Sequence, residues 1–259
     1  TILAAAHFTI QENWHLYWKN PGTQFGLPIE IKWKLPEGFE AGPTKWAVPQ
    51  RKEYRDYRGL GDFNSYEYSG EVALITPISI PADASGGELS LKANLKWAEC
   101  ETDGNCVPQE KTVNAPLTIG GDSKSSIDAG RFAEWQAKLP KPRPGGISAS
   151  ARWESEAVDG KRYALIEVSS DSPDIDFFPH KHESLDVAAI SEISAGDGGN
   201  VVIRKQVSGE DGNWNATLTG LLVQNPGSKT PTAHALSVAI GDGAPATGTS
   251  VASAPAPSG

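Results

Sequence analysis

What most restricts the fold of this chain is a two-residue rhythm of apolar side chains that turn residues keep interrupting. Ile29, Ile31, Trp33 and Leu35 alternate with other residues until Pro36-Glu37-Gly38 stops them. Val72, Leu74, Thr76, Ile78 and Ile80 do the same before Pro81, and Leu89, Leu91, Ala93, Leu95 and Trp97 follow. Val113, Ala115, Leu117 and Ile119 make a further run, ended by Gly120-Gly121. A period of two belongs to a strand, whereas an amphipathic helix repeats every ~3.6 residues. The rhythm returns at Ile147, Ala149, Ala151 and Trp153, then at Tyr163 and Leu165 and at Ile175 and Phe177, and continues in short runs to residue 240. Strands at this cadence, with turns between, predict an all-β chain of two β-sandwich domains.

The expected boundaries follow from composition. The first domain covers residues 1–121 and the second 147–241. Between them, residues 122–146 hold a short helix and a Pro/Gly linker. Ser126 is placed to cap a helix through Ile127, Phe132, Trp135 and Leu139, which Pro140 ends. Pro142, Pro144, Gly145 and Gly146 then form a stiff-then-flexible joint. Residues 242–259 hold only small residues, Pro, Val and Asp242, the composition of a disordered linker leading to another domain. Methionine is absent even at the start, as expected of a mature fragment of a longer precursor. A formal charge of −9, with no cluster of Lys and Arg, argues against nucleic acid. No apolar segment has membrane-spanning length.

Both cysteines fall in one turn. Cys100 and Cys106 flank Glu101-Thr102-Asp103-Gly104-Asn105, and Pro108 stiffens the exit. Gly and Asn accept a positive φ at little steric cost, so the segment is a tight reversal between two strands. A disulfide here would stabilise the fold by only about 2 kcal/mol, because the loop it closes is short. Two readings stay open on spacing alone: a redox-active pair and a structural clip. Zinc is disfavoured, since no second Cys or His pair lies nearby at ligand spacing. Residues 51–69, polar and aromatic-rich with no usable period, read as a long irregular loop of the kind that carries function.

A Cys-x5-Cys-x-Pro-x-Glu motif after a Trp-bearing strand resembles the N-terminal periplasmic domain of DsbD-type thiol:disulfide interchange proteins. Trp14-His15-Leu16-Tyr17-Trp18-Lys19-Asn20-Pro21-Gly22, followed by Gly26-Leu27-Pro28, is similar to the ScsB branch, linked to suppression of copper sensitivity. Phe39-Glu40-Ala41-Gly42-Pro43 and Trp46 to Pro49 fit the same branch. The resemblance covers residues 7–120 well and the second half more weakly.

The resemblance implies that the two β-sandwiches are immunoglobulin-like and that the first is a periplasmic protein-disulfide reductase domain, the soluble part of an inner-membrane protein, with no bound cofactor. It implies Cys100 and Cys106 as the catalytic pair, with Cys106 forming the mixed disulfide to partners. It implies electron transfer from a thioredoxin-like or transmembrane domain of the same full-length protein to thioredoxin-fold periplasmic clients. The membrane is reached only through the missing C-terminal part. An aromatic cap normally shields such a pair. Phe63, Tyr66 and Tyr68 in the 51–69 segment are the cap candidates, and His15 and Tyr17 align with flanking aromatics, His15 standing where the family has a tyrosine.

Blander readings stand beside these. Trp14 to Trp18 reads first as strand packing, and His15 as an ordinary structural histidine. Glu99, Glu101 and Asp103 would put negative charge around Cys100 and raise its thiol pKa. His180-x-His182 has copper- or zinc-binding spacing on a strand, against the simpler reading of an exposed turn, and no metal site is assigned. The rival function from another class is a non-catalytic β-sandwich, a binding or copper-tolerance module with a structural disulfide.

Overall fold

The computed structural model describes residues 1–59, 61–102, 104–120, 126–209, 212–241 and 246–247. Asp103, part of the 122–146 connector and nearly all of the 242–259 tail lie outside the described residues. In chain order the strands begin with β1 (Ile2–Thr9), β2 (Trp14–Tyr17), β3 (Glu30–Lys34), β4 (Glu40–Ala41) and β5 (Gln50–Tyr54). They continue with β6 (Phe63–Tyr68), β7 (Glu71–Ser79), β8 (Gly87–Glu101) and β9 (Cys106–Ile119). After the helix α1 (Ala129–Ala137) come β10 (Ser148–Trp153), β11 (Lys161–Ser169), β12 (Ile175–Pro179) and β13 (Leu185–Ala195). The last are β14 (Val201–Gly209), β15 (Ala216–Gln224), β16 (Thr232–Ile240) and β17 (Ala246–Thr247). Among the described residues the chain is all-β apart from α1 and two short 3₁₀ turns, and its strands pair antiparallel.

Contacts divide the chain into two units. One holds Thr1–Pro49 with Glu67–Leu139; the other holds Gln50–Tyr66 with the chain from Pro140 onward. A linear boundary at residue 121 therefore differs from the contact partition in two places. Gln50–Tyr66 counts with the second unit, and α1 counts with the first. The 51–69 segment is also more regular than its sequence predicts: it contains β5, a 3₁₀ turn at Tyr57–Gly59, and β6.

In the first unit β7 pairs between β1 and β4, and a second sheet runs β3, β8, β2, β6, with β9 added on β8. The apolar alternation does what its period requires. Leu91, Ala93 and Leu95 of β8 are buried, as are Val72, Leu74 and Ile78 of β7 and Ala4, Ala6 and Phe8 of β1. Each large side chain so buried contributes roughly 1.5–3 kcal/mol. Helix α1 lays Trp135 on Ala73 and Ile75, with the ring of His7 stacked on Trp135 at 5.1 Å. The helix starts two residues later than its sequence suggests: Asp128 holds the cap position, and the Ser126 hydroxyl accepts from the Asp128 N–H instead, at 3.1 Å. Ile127 is fully exposed.

The second unit packs a sheet of β13, β14, β11, β10 and β17 with a sheet of β12, β15 and β16. Its core joins Ile166, Val168, Ile175, Phe177, Ile203, Val207, Leu218, Leu222 and Val238. Trp153 and Trp214 meet edge to face at 5.4 Å, and the Trp153 indole N–H donates to the Trp214 carbonyl at 3.1 Å. Gly220 is required where β15 passes β12. A Cβ there would stand 2.3 Å from the Phe178 carbonyl oxygen and 2.5 Å from the Phe177 ring.

Candidate functional site

The hairpin of β8 and β9 carries the site. The two strands pair from Gly87 with Ile119 down to Cys100 with Cys106, so the cysteines are directly opposed at the end of the ladder. They are joined as a disulfide. Beyond them the turn closes through Glu101 N–H donating to the Asn105 carbonyl at 3.2 Å and Gly104 N–H donating to the Glu101 carbonyl at 3.3 Å. Gly104 is needed here, because a Cβ would sit 2.4 Å from the Cβ of Glu101 and closer still to its carboxylate. The turn is tied down from β2's side: the Thr102 backbone N–H and hydroxyl both donate to the Asn13 carbonyl, at 2.9 and 3.1 Å. Asn13 itself takes the left-handed conformation that Asn tolerates (φ 65°).

The alternation of β8 changes phase before it reaches the disulfide. Leu91, Ala93 and Leu95 are buried on one face; Ala98 and Cys100 are buried on the other. Cys100 is thus out of step with the core that the same strand builds. Glu99 and Glu101 alternate away from the Cys100 face, and Glu99 accepts a hydrogen bond from the Trp97 indole at 3.1 Å. The negative charge expected around Cys100 from Glu99 and Glu101 is therefore directed elsewhere, while Asp103 lies outside the described residues.

What lies on the Cys100 face comes from β2 and β6. His15 is the register partner of Cys100, and Tyr17 is the register partner of Glu67. Directly opposed residues of an antiparallel pair point to the same side, and residues two apart on a strand do too. His15, Tyr17, Glu67 and Cys100 therefore share one face. Tyr17 packs with Ala98 and Cys100. His15 meets the Tyr17 ring edge-on at 5.0 Å, and its Nε2 lies 3.6 Å from a Glu67 carboxylate oxygen. All four are buried, Cys100 to 1 % exposure. Cys106, in contrast, is exposed. The disulfide consequently has one sulfur-bearing residue sealed in the protein and one facing outward.

The other sequence-predicted residues fall in different surroundings. Phe63 stacks on Tyr54 at 4.8 Å and meets Tyr57 edge-on at 5.7 Å. Tyr66 is fully buried against Phe178, with ring centroids 4.3 Å apart. Tyr68 is buried, and its hydroxyl donates to the Ala47 carbonyl at 2.7 Å. Both phenols are pushed well above the ordinary tyrosine pKa by burial. His180 and His182 follow β12, and His182 Nδ1 accepts from the Ser184 N–H at 3.2 Å. Among the described residues no three metal-ligating side chains converge. Sequence reasoning missed Glu67. Its signal was present, since an acid between Tyr66 and Tyr68 in an alternating strand must point opposite to both.

Residues 1–118 match the family model for the N-terminal region of thiol:disulfide interchange protein DsbD. The match spans less than half of the chain, and over it this segment is similar to a DsbD-type N-terminal domain. Its fold is immunoglobulin-like, and it contains the whole Cys100–Cys106 hairpin apart from Ile119 at the end of β9. The crystal structure of the N-terminal periplasmic domain of ScsB from Proteus mirabilis is similar over both units. It superposes with a TM-score of 0.64, covering 93 % of this chain and 88 % of that one, at 16 % sequence identity. At that identity the likeness is one of fold. No curated protein sequence matches the chain. What residues 1–118 share with thiol:disulfide interchange proteins is thus a family-model likeness that includes both cysteines.

Proposed function

We propose that this domain is a periplasmic relay that takes two electrons from a thioredoxin-like or transmembrane domain of its own full-length protein and passes them to thioredoxin-fold clients. The observation that carries the reading is the asymmetry of the disulfide, with Cys106 outward and Cys100 sealed. Exchange proceeds by attack of a thiolate on one sulfur, with the other leaving. A donor thiolate attacks Cys106 Sγ, the Cys100–Cys106 bond breaks, and its electron pair leaves on Cys100. The donor's second thiolate then displaces Cys106, and the donor ends as a disulfide. In the forward step the Cys106 thiolate attacks a client disulfide. Cys100 resolves the mixed disulfide, restoring the Cys100–Cys106 bond and releasing the client as a dithiol.

Tyr17, packed on Cys100, is the aromatic shield of the inner sulfur, so that small reagents meet only Cys106. The second unit has no cysteine and serves as spacer or partner platform. The test is capture. A Cys100→Ser variant should accumulate a mixed disulfide with a thioredoxin-fold client through Cys106, while Cys106→Ser should not. Equal capture by both variants, or by neither, would overturn the relay and leave a structural clip.

A further inference from the structure

The buried pair of His15 and Glu67 stands beside the one bond the domain exchanges. We propose that His15 delivers a proton to Cys100 Sγ when the disulfide is reduced, and that Glu67 is the positioning residue that keeps the imidazole charged and aimed. This rests on the exchange reading above and deepens it.

Four observations lead there. His15 and Cys100 are direct cross-strand partners on one face, a relation that brings Cβ atoms to roughly 4.5–5.5 Å. Both side chains pack against Tyr17. Both are buried, so sulfur leaving Cys100 as a thiolate would have little solvent to stabilise it. Glu67, itself only 3 % exposed, has the His15 imidazole 3.6 Å away, the arrangement of a carboxylate orienting an imidazole toward a thiol.

The step balances. The donor thiolate bonds to Cys106 Sγ, the electron pair of the old bond goes to Cys100 Sγ, and the imidazolium proton moves onto it. Neutral His15 regains a proton from solvent. In the reverse direction it takes the Cys100 proton as that sulfur attacks the mixed disulfide.

The titratable groups facing His15 are Glu67 from β6, Tyr17 from β2 and Cys100 from β8. Cys106, opposite Cys100 on β9, is exposed. Lys19, next along the chain from Trp18, lies over that ring at 5.5 Å, and burial lowers its pKa. The 20–28 loop brings uncharged Gly26 and Pro28 against Tyr17, with Pro21 beside Gly26.

The experiment is the rate of disulfide reduction by dithiothreitol over roughly pH 5 to 9, where a histidine titrates, divided by reductant thiolate concentration. For the unaltered chain this normalised rate should be high in acid and fall through one ionisation. In His15→Gln it should be flat and about tenfold or more slower in acid, a loss of the size general-acid catalysis supplies. In Glu67→Gln the break should move to lower pH, since removing an opposite charge disfavours the imidazolium. Should His15→Gln fail to fold, the Glu67→Gln displacement decides alone. An unchanged break in the folded variants overturns the proposal while leaving exchange intact. A normal dithiothreitol profile with no reduction by a thioredoxin-like donor would instead sink the relay.

Discussion

Two of the places that bury charged groups among the described residues do so differently. In the second unit Asp176 and Lys205 are both wholly inaccessible. Asp176 is saturated: Arg51 donates to one oxygen, while Ser191 and the Phe177 N–H donate to the other. The Lys205 ammonium donates to the Ala189 carbonyl at 2.9 Å and to the Tyr66 hydroxyl at 3.4 Å. This is a network closed on itself, and a closed network holds structure. In the first unit the His15–Glu67 pair stands 3.6 Å apart with the Cys100–Cys106 disulfide next door. A pair of that kind is suited to moving a proton. The difference teaches that burial of charge alone does not mark a functional site; the partners on each atom do.

The sharpest way to break this contrast is Asp176→Asn. Removing the anion leaves Lys205 uncompensated and Arg51 with Glu53 as its remaining carboxylate, a loss of about 3–5 kcal/mol for a buried pair. Denaturant unfolding should show it in the second unit, with disulfide exchange by the folded protein unaltered. A large drop in exchange rate would erase the distinction between the two clusters.

Next in size is an alkaline effect. Burial lowers the Lys205 pKa to about 8 from 10.5, against the pull of Asp176. Between those values the unfolded chain binds the proton that the folded chain has lost, so stability rises with pH through that window. The gain approaches roughly 3 kcal/mol if the whole shift is realised. Above about pH 10 the trend reverses, because Tyr66 and Tyr68 resist ionisation only while folded. Lys205→Met should abolish the rise and keep the fall, as read by unfolding at stepped pH.

Smaller again is the disulfide's own stability term. Reducing Cys100–Cys106 should cost the first unit only about 2 kcal/mol, the entropy of a short loop. Thermal or denaturant unfolding with and without reductant measures it. A loss several times larger would turn the turn into a structural staple. The smallest effect is expected for His15→Phe combined with Glu67→Leu. Replacing a buried ion pair by packed apolar groups often costs under about 1 kcal/mol. The double variant should stay folded and still lose the pH dependence of reduction.

Much of this was legible in the chain. The strands declared themselves by period two, and the cysteine turn by Gly104 and Asn105. The Cys100 face was not legible, because it depends on register. Nothing in the order of residues says that His15 stands opposite Cys100 or that Tyr17 stands opposite Glu67. The placement of Gln50–Tyr66 with the second unit rests on partners more than a hundred residues away, such as Arg51 with Asp176. Lys205 did leave a trace: it occupies an inward position in the run Val201, Ile203, Lys205, Val207, where a lysine must find buried partners. The phase change in β8 was equally visible as Ala98 and Cys100 falling on even numbers after Leu91, Ala93 and Leu95 on odd ones.

The central claim, that the Cys100–Cys106 bond is made to be exchanged, is tested most directly by its reduction potential. Equilibrating the chain with thiol–disulfide buffers of known poise and counting free thiols gives that value. A relay pair should lie roughly between −180 and −270 mV, within reach of thioredoxin-like partners. A potential below about −300 mV, where structural disulfides sit, would contradict it.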